Sequence, residues 1–373
     1  MSQSSFWSNP YPWYRTMRET DPVHFERGSW SVFRYNDVQR VLSEYAIFSS
    51  QYMGSETPLE ASLLNTDPPR HRQLRSLVSQ AFTPRRIAQL ETRISEIVSE
   101  LLDNVAAQGH MDVIADLAYP LPVIVIAELL GIPTSDRERF KHWSDEVVGA
   151  GQSGGGNAQA EMSQYFLNII EQRRKEPGND LISGLLDAQI DGQHLSIQEL
   201  LGFCVLLLVA GNETTTNLLG NAIWCFDEHP ETMEQLRAEP DLMPNAVEEV
   251  LRYTSPVRAM FRVTLSDATI GEKTIPAGSG VMAWIASANR DDEQFPNADT
   301  FDIRRSPNRH LAFGYGIHFC LGAPLARLEA KVALNMMLER LHDIRRDRNA
   351  PVELMPSFIL NGYRKLPIVF RPA

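Results

Sequence analysis

Phe313-Gly314-Tyr315-Gly316-Ile317-His318-Phe319-Cys320-Leu321-Gly322-Ala323-Pro324 is the stretch on which the reading of this chain turns. Glycines at 314, 316 and 322 surround one cysteine, and glycine admits positive φ and the close approach of a bulky group. Pro324 suits the first turn of a helix. Cys320 therefore sits just ahead of a helix N-terminus, where the dipole and free amides favour a thiolate. A lone cysteine held this way is suited to act as nucleophile, redox sensor or metal ligand. A packed core cysteine needs neither flanking glycines nor a histidine two residues upstream; Cys204 and Cys225, on apolar helical faces, fit that plainer description. His318 is poorly placed as a base for Cys320, being two residues away along an extended loop.

The 373 residues are 43% hydrophobic and 22% charged, enough for a large core. A formal net charge of −12 argues against a general nucleic-acid binder and against adsorption to anionic membranes. Three cysteines without a C-x-x-C pair make no disulfide framework and fit a reducing cytoplasm. Met1–Trp13 has no basic patch followed by an apolar run, so no signal peptide is expected. The apolar stretches Pro120–Ile132 and Leu200–Gly211 read as too short or too interrupted to span a bilayer. The expectation is a cytoplasmic monomer without a membrane anchor.

Most of the first 255 residues read as helix. Asp67-Pro68-Pro69 starts a helix carrying His71 and Arg75, and Thr83-Pro84 starts another. Ser135-x-x-Glu138 and Ser196-x-x-Glu199 are capping boxes. The second opens an apolar helix reaching about Glu228, on the order of 45 Å long. Gly149–Gly156 favours a flexible connection, either a plain solvated linker or the hinge of a mobile lid over about 135–175. Strands are expected over 23–34, 259–284 and the C-terminal tail, with an irregular stretch from Asn289 to Arg309 and a helix from about Ala323 to His342. The expectation is one domain, 1–373, mainly α with a smaller β region.

The pattern F-G-x-G-x-H-x-C-x-G resembles the haem-binding loop of the cytochrome P450 family at every defining position. The resemblance extends over essentially the whole chain. Trp284–Asp291 and Cys320–Arg327 look closest to small bacterial and archaeal members. It implies a mostly α triangular prism with haem b, iron protoporphyrin IX, between the long central helix and the helix after the cysteine. Cys320 would then be the iron's axial ligand, with Phe313, Gly314 and Gly322 around it. A thiolate pushes electron density onto iron and favours O–O cleavage.

The central helix carries Ala210-Gly211-Asn212-Glu213-Thr214-Thr215. A helical threonine ordinarily bonds the carbonyl one turn back. Here Ala210 and Gly211 also remove bulk beside Thr214's turn, leaving space for a diatomic ligand. The run is similar to the family's small-Gly-x-acid-Thr pattern. That similarity implies that Thr214 holds the proton network for oxygen activation, Glu213 feeds it, and Thr215 faces the substrate. It also argues against the peroxide-using subgroup, where arginine and proline replace the acid–threonine pair.

His71 and Arg75 share a helix face. Alone they would suit a solvated pair; within the family's pattern they resemble a clamp for the haem propionates, completed by Arg262 and His318. Glu249 and Arg252 form the family's structural E-x-x-R pair, completed by Arg305. Arg309 stands where the family usually has proline. Leu63 and Leu64, within the aperiodic Tyr52–Asn65 segment, and Leu206, Val209, Val257, Met260, Ile359 and Leu360 occupy positions that line the distal pocket in relatives, though each also suits a core. Their apolar character implies a hydrophobic small-molecule substrate such as a fatty acid, terpenoid, steroid or macrolide-like molecule. With no fused reductase expected, electrons would come from a separate ferredoxin or flavodoxin and its reductase. Arg72, Arg75, Arg309, Arg327 and Lys331 would gather positive charge near the cysteine side for such a small acidic donor. The leading reading is an O2-dependent monooxygenase. Its competitors are a haem-based gas or redox sensor and a cysteine-nucleophile enzyme without haem.

Overall fold

The apolar run opening at Ser196 becomes the helix around which the rest is arranged. The computed structural model describes residues 9–51, 62–136, 139–140, 142–143, 156–189 and 192–372. Nine helices position the site: α1 (Tyr35–Ser43), α2 (Arg70–Ala81), α3 (Glu91–Ala106), α4 (Pro120–Leu129), α5 (Gly156–Lys175), α6 (Leu181–Asp187), α7 (Ile197–Glu228), α8 (Met243–Tyr253) and α9 (Ala323–Arg340). The start of α7 is fixed by a reciprocal capping box. Ser196 Oγ accepts from the Glu199 amide at 3.2 Å, and the Glu199 carboxylate accepts from the Ser196 amide at 2.9 Å.

At 32 residues α7 extends about 48 Å. It is long and apolar enough to cross a membrane by length and composition, which the interrupted pattern of Leu200–Gly211 does not suggest. Its residues are nonetheless those of a core helix, with the consecutive residues Thr216, Asn217, Leu218 and Leu219 buried on different sides. Helices α4, α5, α8 and α9 pack against it, and α9 also packs on α3 and α8. Thr83 caps the short helix Pro84–Gln89 by accepting from the Arg86 amide. Proline at the start of both α4 and α9 supplies a preset φ where no amide bond is lost.

The β portion comprises β1 (Val23–Glu26), β2 (Ser29–Val32), β3 (Phe48–Ser49), β4 (His110–Asp112), β5 (Met260–Thr264), β6 (Gly280–Ala283), β7 (Leu341–Arg346) and β8 (Pro367–Pro372), with two smaller hairpin pairs. One sheet runs β1-β2-β6-β5-β3, parallel only between β2 and β6; the other runs β4-β8-β7 and is antiparallel. In β5 the register sets Arg262 opposite Val281, and period-two alternation turns Arg262 to the buried side.

The E-x-x-R pair is an interior anchor rather than a surface bridge. Glu249 and Arg252 are 0% exposed, and Arg252 donates to the carboxylate at 2.7 and 2.8 Å. Arg305 adds a bond at 3.2 Å, and Asp302 N and Asn308 Nδ2 also donate to Glu249. Arg252 donates onward to the carbonyls of Asn289, Ala298 and Thr300. The irregular chain ahead of the cysteine loop, which has no ladder of its own, is thereby tied to α8. The Gly149–Gly155 part of the proposed hinge, Tyr52–Ala61 of the pocket segment, and Glu138 of the other capping box lie outside the described residues.

Candidate active site

Cys320 is held by backbone before any side chain is considered. Its amide donates to the Phe313 carbonyl at 2.8 Å, closing the loop, while Gly314 N donates to Leu311 O at 2.8 Å. Gly316 has φ +73°, and a Cβ there would stand 2.9 Å from Ser43 Cα at the end of α1. Only glycine lets the loop lie this close to α1. The start of α9 then aims the Gly322 and Ala323 amides at the Cys320 sulfur. Burial pushes the thiol up; those two amides, with Arg75 and Arg327, pull it down. Burial wins, so a cation at the sulfur is needed to complete a thiolate site.

On the other flank, two imidazoles converge with two guanidinium groups. The rings of His71 and His318 lie 4.4 Å apart, and the Nε2 atom of each is buried without a hydrogen-bond partner. Burial, followed by Arg262, His71 and Arg75, drives His318 down to about 3. Burial and Arg75 likewise lower His71, against Asp67. Arg262 is 3% exposed, and burial lowers even Arg75. Among the described residues Asp67 is the one carboxylate within 4 Å of His318, at 3.8 Å, and it is already taken up by Ser49 Oγ and the Ser50 amide. Two orphaned imidazole nitrogens beside two interior guanidinium groups match the acceptor-rich propionates of haem. The residues present fit that group.

Along α7, Leu206, Val209, Gly211 and Thr214 are partly accessible and Ala210 is exposed, although residues on the other faces are buried. This is an apolar face within an interior helix, with one hydroxyl on it. Thr214 Oγ1 donates to Ala210 O at 2.7 Å, the ordinary helical bond. Glu213 is 7% exposed. Thr215 is 3% exposed and about 100° around the helix from Thr214, so it is packed in the interior and does not share the accessible face. Gly211 also bears on helix packing, because a Cβ there would stand 2.6 Å from Ile126 Cδ1 on α4.

Val257 forms an isolated bridge with Leu360, and Arg258 N donates to Ile359 O at 2.6 Å, so these three apolar positions are brought together. All three, with Met260 in β5, are partly accessible. Leu63 and Leu64 lie on the turn Leu63–Asn65, the first 7% and the second 36% exposed. The cation set foreseen for docking also changes. Arg327 is paired with Glu248 and Lys331 with Glu91, while Arg75 belongs to the interior cluster. Arg72 and Arg309 are exposed without a carboxylate partner among the described residues. Asp67, read from sequence only as part of a helix start, proves to face His318, and Glu248 was not foreseen at all.

A sulfur donor beneath a helix N-terminus, two guanidinium groups beside two imidazoles with unpartnered Nε2 atoms, and an accessible apolar face with a threonine define a haem-thiolate centre. The sequence profile of the family described as Cytochrome P450 matches residues 139–345. A relative named "Putative cytochrome P450 YjiB", from Bacillus subtilis, is 44% identical over 95% of this chain and 93% of its own length. "Cytochrome P450 monooxygenase PikC" from Streptomyces venezuelae is 42% identical over 98% and 92%. The solved structure of CYP109E1 from Bacillus megaterium in complex with testosterone superposes with a TM-score of 0.91 at 44% identity, covering 97% of this chain and 99% of that one. The chain belongs to the cytochrome P450 family. It has the P450 fold, takes haem b and is a monooxygenase, an oxidoreductase that depends on an electron donor and a small-molecule substrate.

Proposed function

We propose that the chain, acting as a single domain over residues 1–373, inserts one oxygen atom from O2 into a hydrophobic molecule of steroid size or shape. The observation that carries this reading is the accessible apolar face of α7, Leu206, Val209 and Ala210, with Thr214 as its hydroxyl. Val257, Met260, Ile359 and Leu360 supply further apolar lining, consistent with the testosterone bound by the CYP109E1 relative. A substrate held by such groups is ordered by burial and shape, with few polar constraints.

Haem, when bound, supplies the oxygen-activating chemistry. Cys320 is its thiolate ligand, with the Gly322 and Ala323 amides tuning the sulfur. His71, Arg75, Arg262 and His318 receive the propionates, and Phe313 and Gly314 shape the ligand loop. Thr214 holds a proton at Oγ1 on the accessible face and exchanges its bond to Ala210 O for one to an incoming acceptor. Glu213, one residue earlier, delivers protons to it from the interior side of α7. Thr215 supports helix packing. The electron donor is a small acidic ferredoxin or flavodoxin, served by its own reductase and steered by Arg72 and Arg309 in the cytoplasm. The enzyme works as a monomer.

The test is the carbon monoxide difference spectrum of the reduced holoprotein, followed by product analysis with apolar substrates, testosterone included. A red-shifted Soret band that disappears in Cys320→Ser is expected, together with oxygen-dependent hydroxylated product. Absence of the band overturns the haem-thiolate reading. A band without product under any electron supply favours the sensor.

A further inference from the structure

The cysteine loop is gripped from outside by an ion-paired network to which no role in the chemistry above has been given. Glu248 stands on α8, one residue before the buried Glu249. Its two oxygens accept from Arg327 Nε at 2.7 Å and Nη2 at 2.8 Å, a fork-on-fork pair from α9. That pairing holds the guanidinium over the Phe313 ring, 4.5 Å from its centroid. The same carboxylate meets His310 Nε2 at 3.2 Å, and His310 Nδ1 accepts from the Ala312 amide at 3.2 Å. An Nδ1 that accepts leaves Nε2 as the protonated nitrogen, so His310 donates to Glu248. His310 is 3% exposed on its side chain, whereas Arg327 is 38% exposed, so the network runs from the surface inward. It borders a surface cleft of about 310 Å³ between α8 and α9, lined by Pro244, Glu248, Arg327, Leu328 and Lys331.

Phe313 is the residue whose carbonyl receives the Cys320 amide. Fixing its ring therefore fixes the frame of the sulfur ligand. We propose that Glu248 is a positioning residue of the haem-thiolate centre, holding Arg327 over Phe313, the residue that accepts the Cys320 amide, and balancing the charge of that guanidinium. The inference rests on the haem-thiolate reading above. A cation near the iron–sulfur unit favours the reduced, more negative state, and an anion opposes it. Glu248 and Arg327 thus form a compensated pair whose members act on the centre with opposite sign.

The test measures the haem midpoint potential of the holoenzyme and the rate at which the reduced carbon monoxide complex loses its thiolate band. Glu248→Gln keeps the shape and removes the anion, so its potential rises. Arg327→Met removes the cation and the ring cover, so its potential falls. Its thiolate band decays about ten-fold faster, the scale of one partly buried cation–π contact. In a Phe313→Leu background, Arg327→Met should cause no further acceleration. Shifts of the same sign in both variants, or none, overturn the proposal, because general loosening of the loop has no reason to change sign. If Arg327→Met fails to fold, Arg327→Lys serves: it keeps the charge and loses the planar cover, so its potential stays near wild type while its band decays faster. A wild-type decay rate in Arg327→Lys overturns the proposal. A wild-type protein with no thiolate band would sink the haem-thiolate reading itself, an outcome distinct from any of these.

Discussion

Glu249→Gln is the substitution that most severely tests the account of the interior anchor. Five donors reach the native carboxylate: two from Arg252, and one each from Arg305, Asp302 N and Asn308. An amide can keep one oxygen. Its better orientation leaves oxygen at Oε1, which serves Arg252 Nη2, Arg305 and Asp302 N, and places the NH2 at Oε2, facing Arg252 Nε and the Asn308 amide. Two buried donors then lose their acceptor, at about 1–3 kcal/mol each. Arg252, 0% exposed, also loses its counter-ion. The combined cost is about 3–5 kcal/mol, the range for breaking one side of a buried pair. Against total stabilities of about 5–15 kcal/mol this is severe. Urea titration of the haem-loaded protein, followed by circular dichroism and by the Soret band, measures it. The double variant Glu249→Leu/Arg252→Met, which removes both charges, should be less destabilised than Glu249→Gln alone. A Glu249→Gln protein within about 1 kcal/mol of wild type would refute the reasoning.

Glu329 on α9 is 1% exposed, its Oε2 has no partner, and burial raises it from 4.5 to about 8. The folded state therefore holds the proton more tightly than the unfolded one. Its contribution is fully present below 4.5 and is lost as pH rises toward 8, by about 3 kcal/mol between about pH 5 and pH 8. Stability–pH curves of wild type and Glu329→Gln should separate in that window; parallel curves would count against the assignment. Gly316→Ala forces a left-handed backbone on a residue with a Cβ and drives that atom into Ser43, costing about 1–3 kcal/mol. Faster haem loss to an apoglobin acceptor is the readout, and an unchanged rate would show that the loop accommodates the methyl.

What was legible in the sequence was mainly what is encoded locally. The capping box at Ser196, the Thr83 cap and the glycine-cysteine loop each need only a few adjacent residues, so their chemistry is visible in one dimension. Thr215 could not be assigned a direction that way, because one residue along a helix interchanges accessible and packed faces. The packing of Gly211 against Ile126 was not legible, because Ile126 lies on another helix. Arg327 read as free surface charge for the same reason: its partner Glu248 is 79 positions away in the chain, and pairing at that distance leaves no local pattern.

The two flanks of the centre pose opposite electrostatic problems, and this has a consequence for folding. At Cys320 the chain offers donors and cations to a sulfur whose burial favours the neutral thiol. At His71, Arg75, Arg262 and His318 it gathers two guanidinium groups and two unpartnered imidazole nitrogens around an already engaged carboxylate. Each flank by itself is a cost to the folded chain, since buried polar groups without partners are destabilising. A group carrying a metal cation on one side and carboxylates at its edge relieves both costs at once. Anything that binds only the folded state stabilises it by mass action. The cost of each flank thus becomes selectivity: a ligand matching only one flank leaves the other unsatisfied, and a porphyrin with both iron and propionates satisfies the two together.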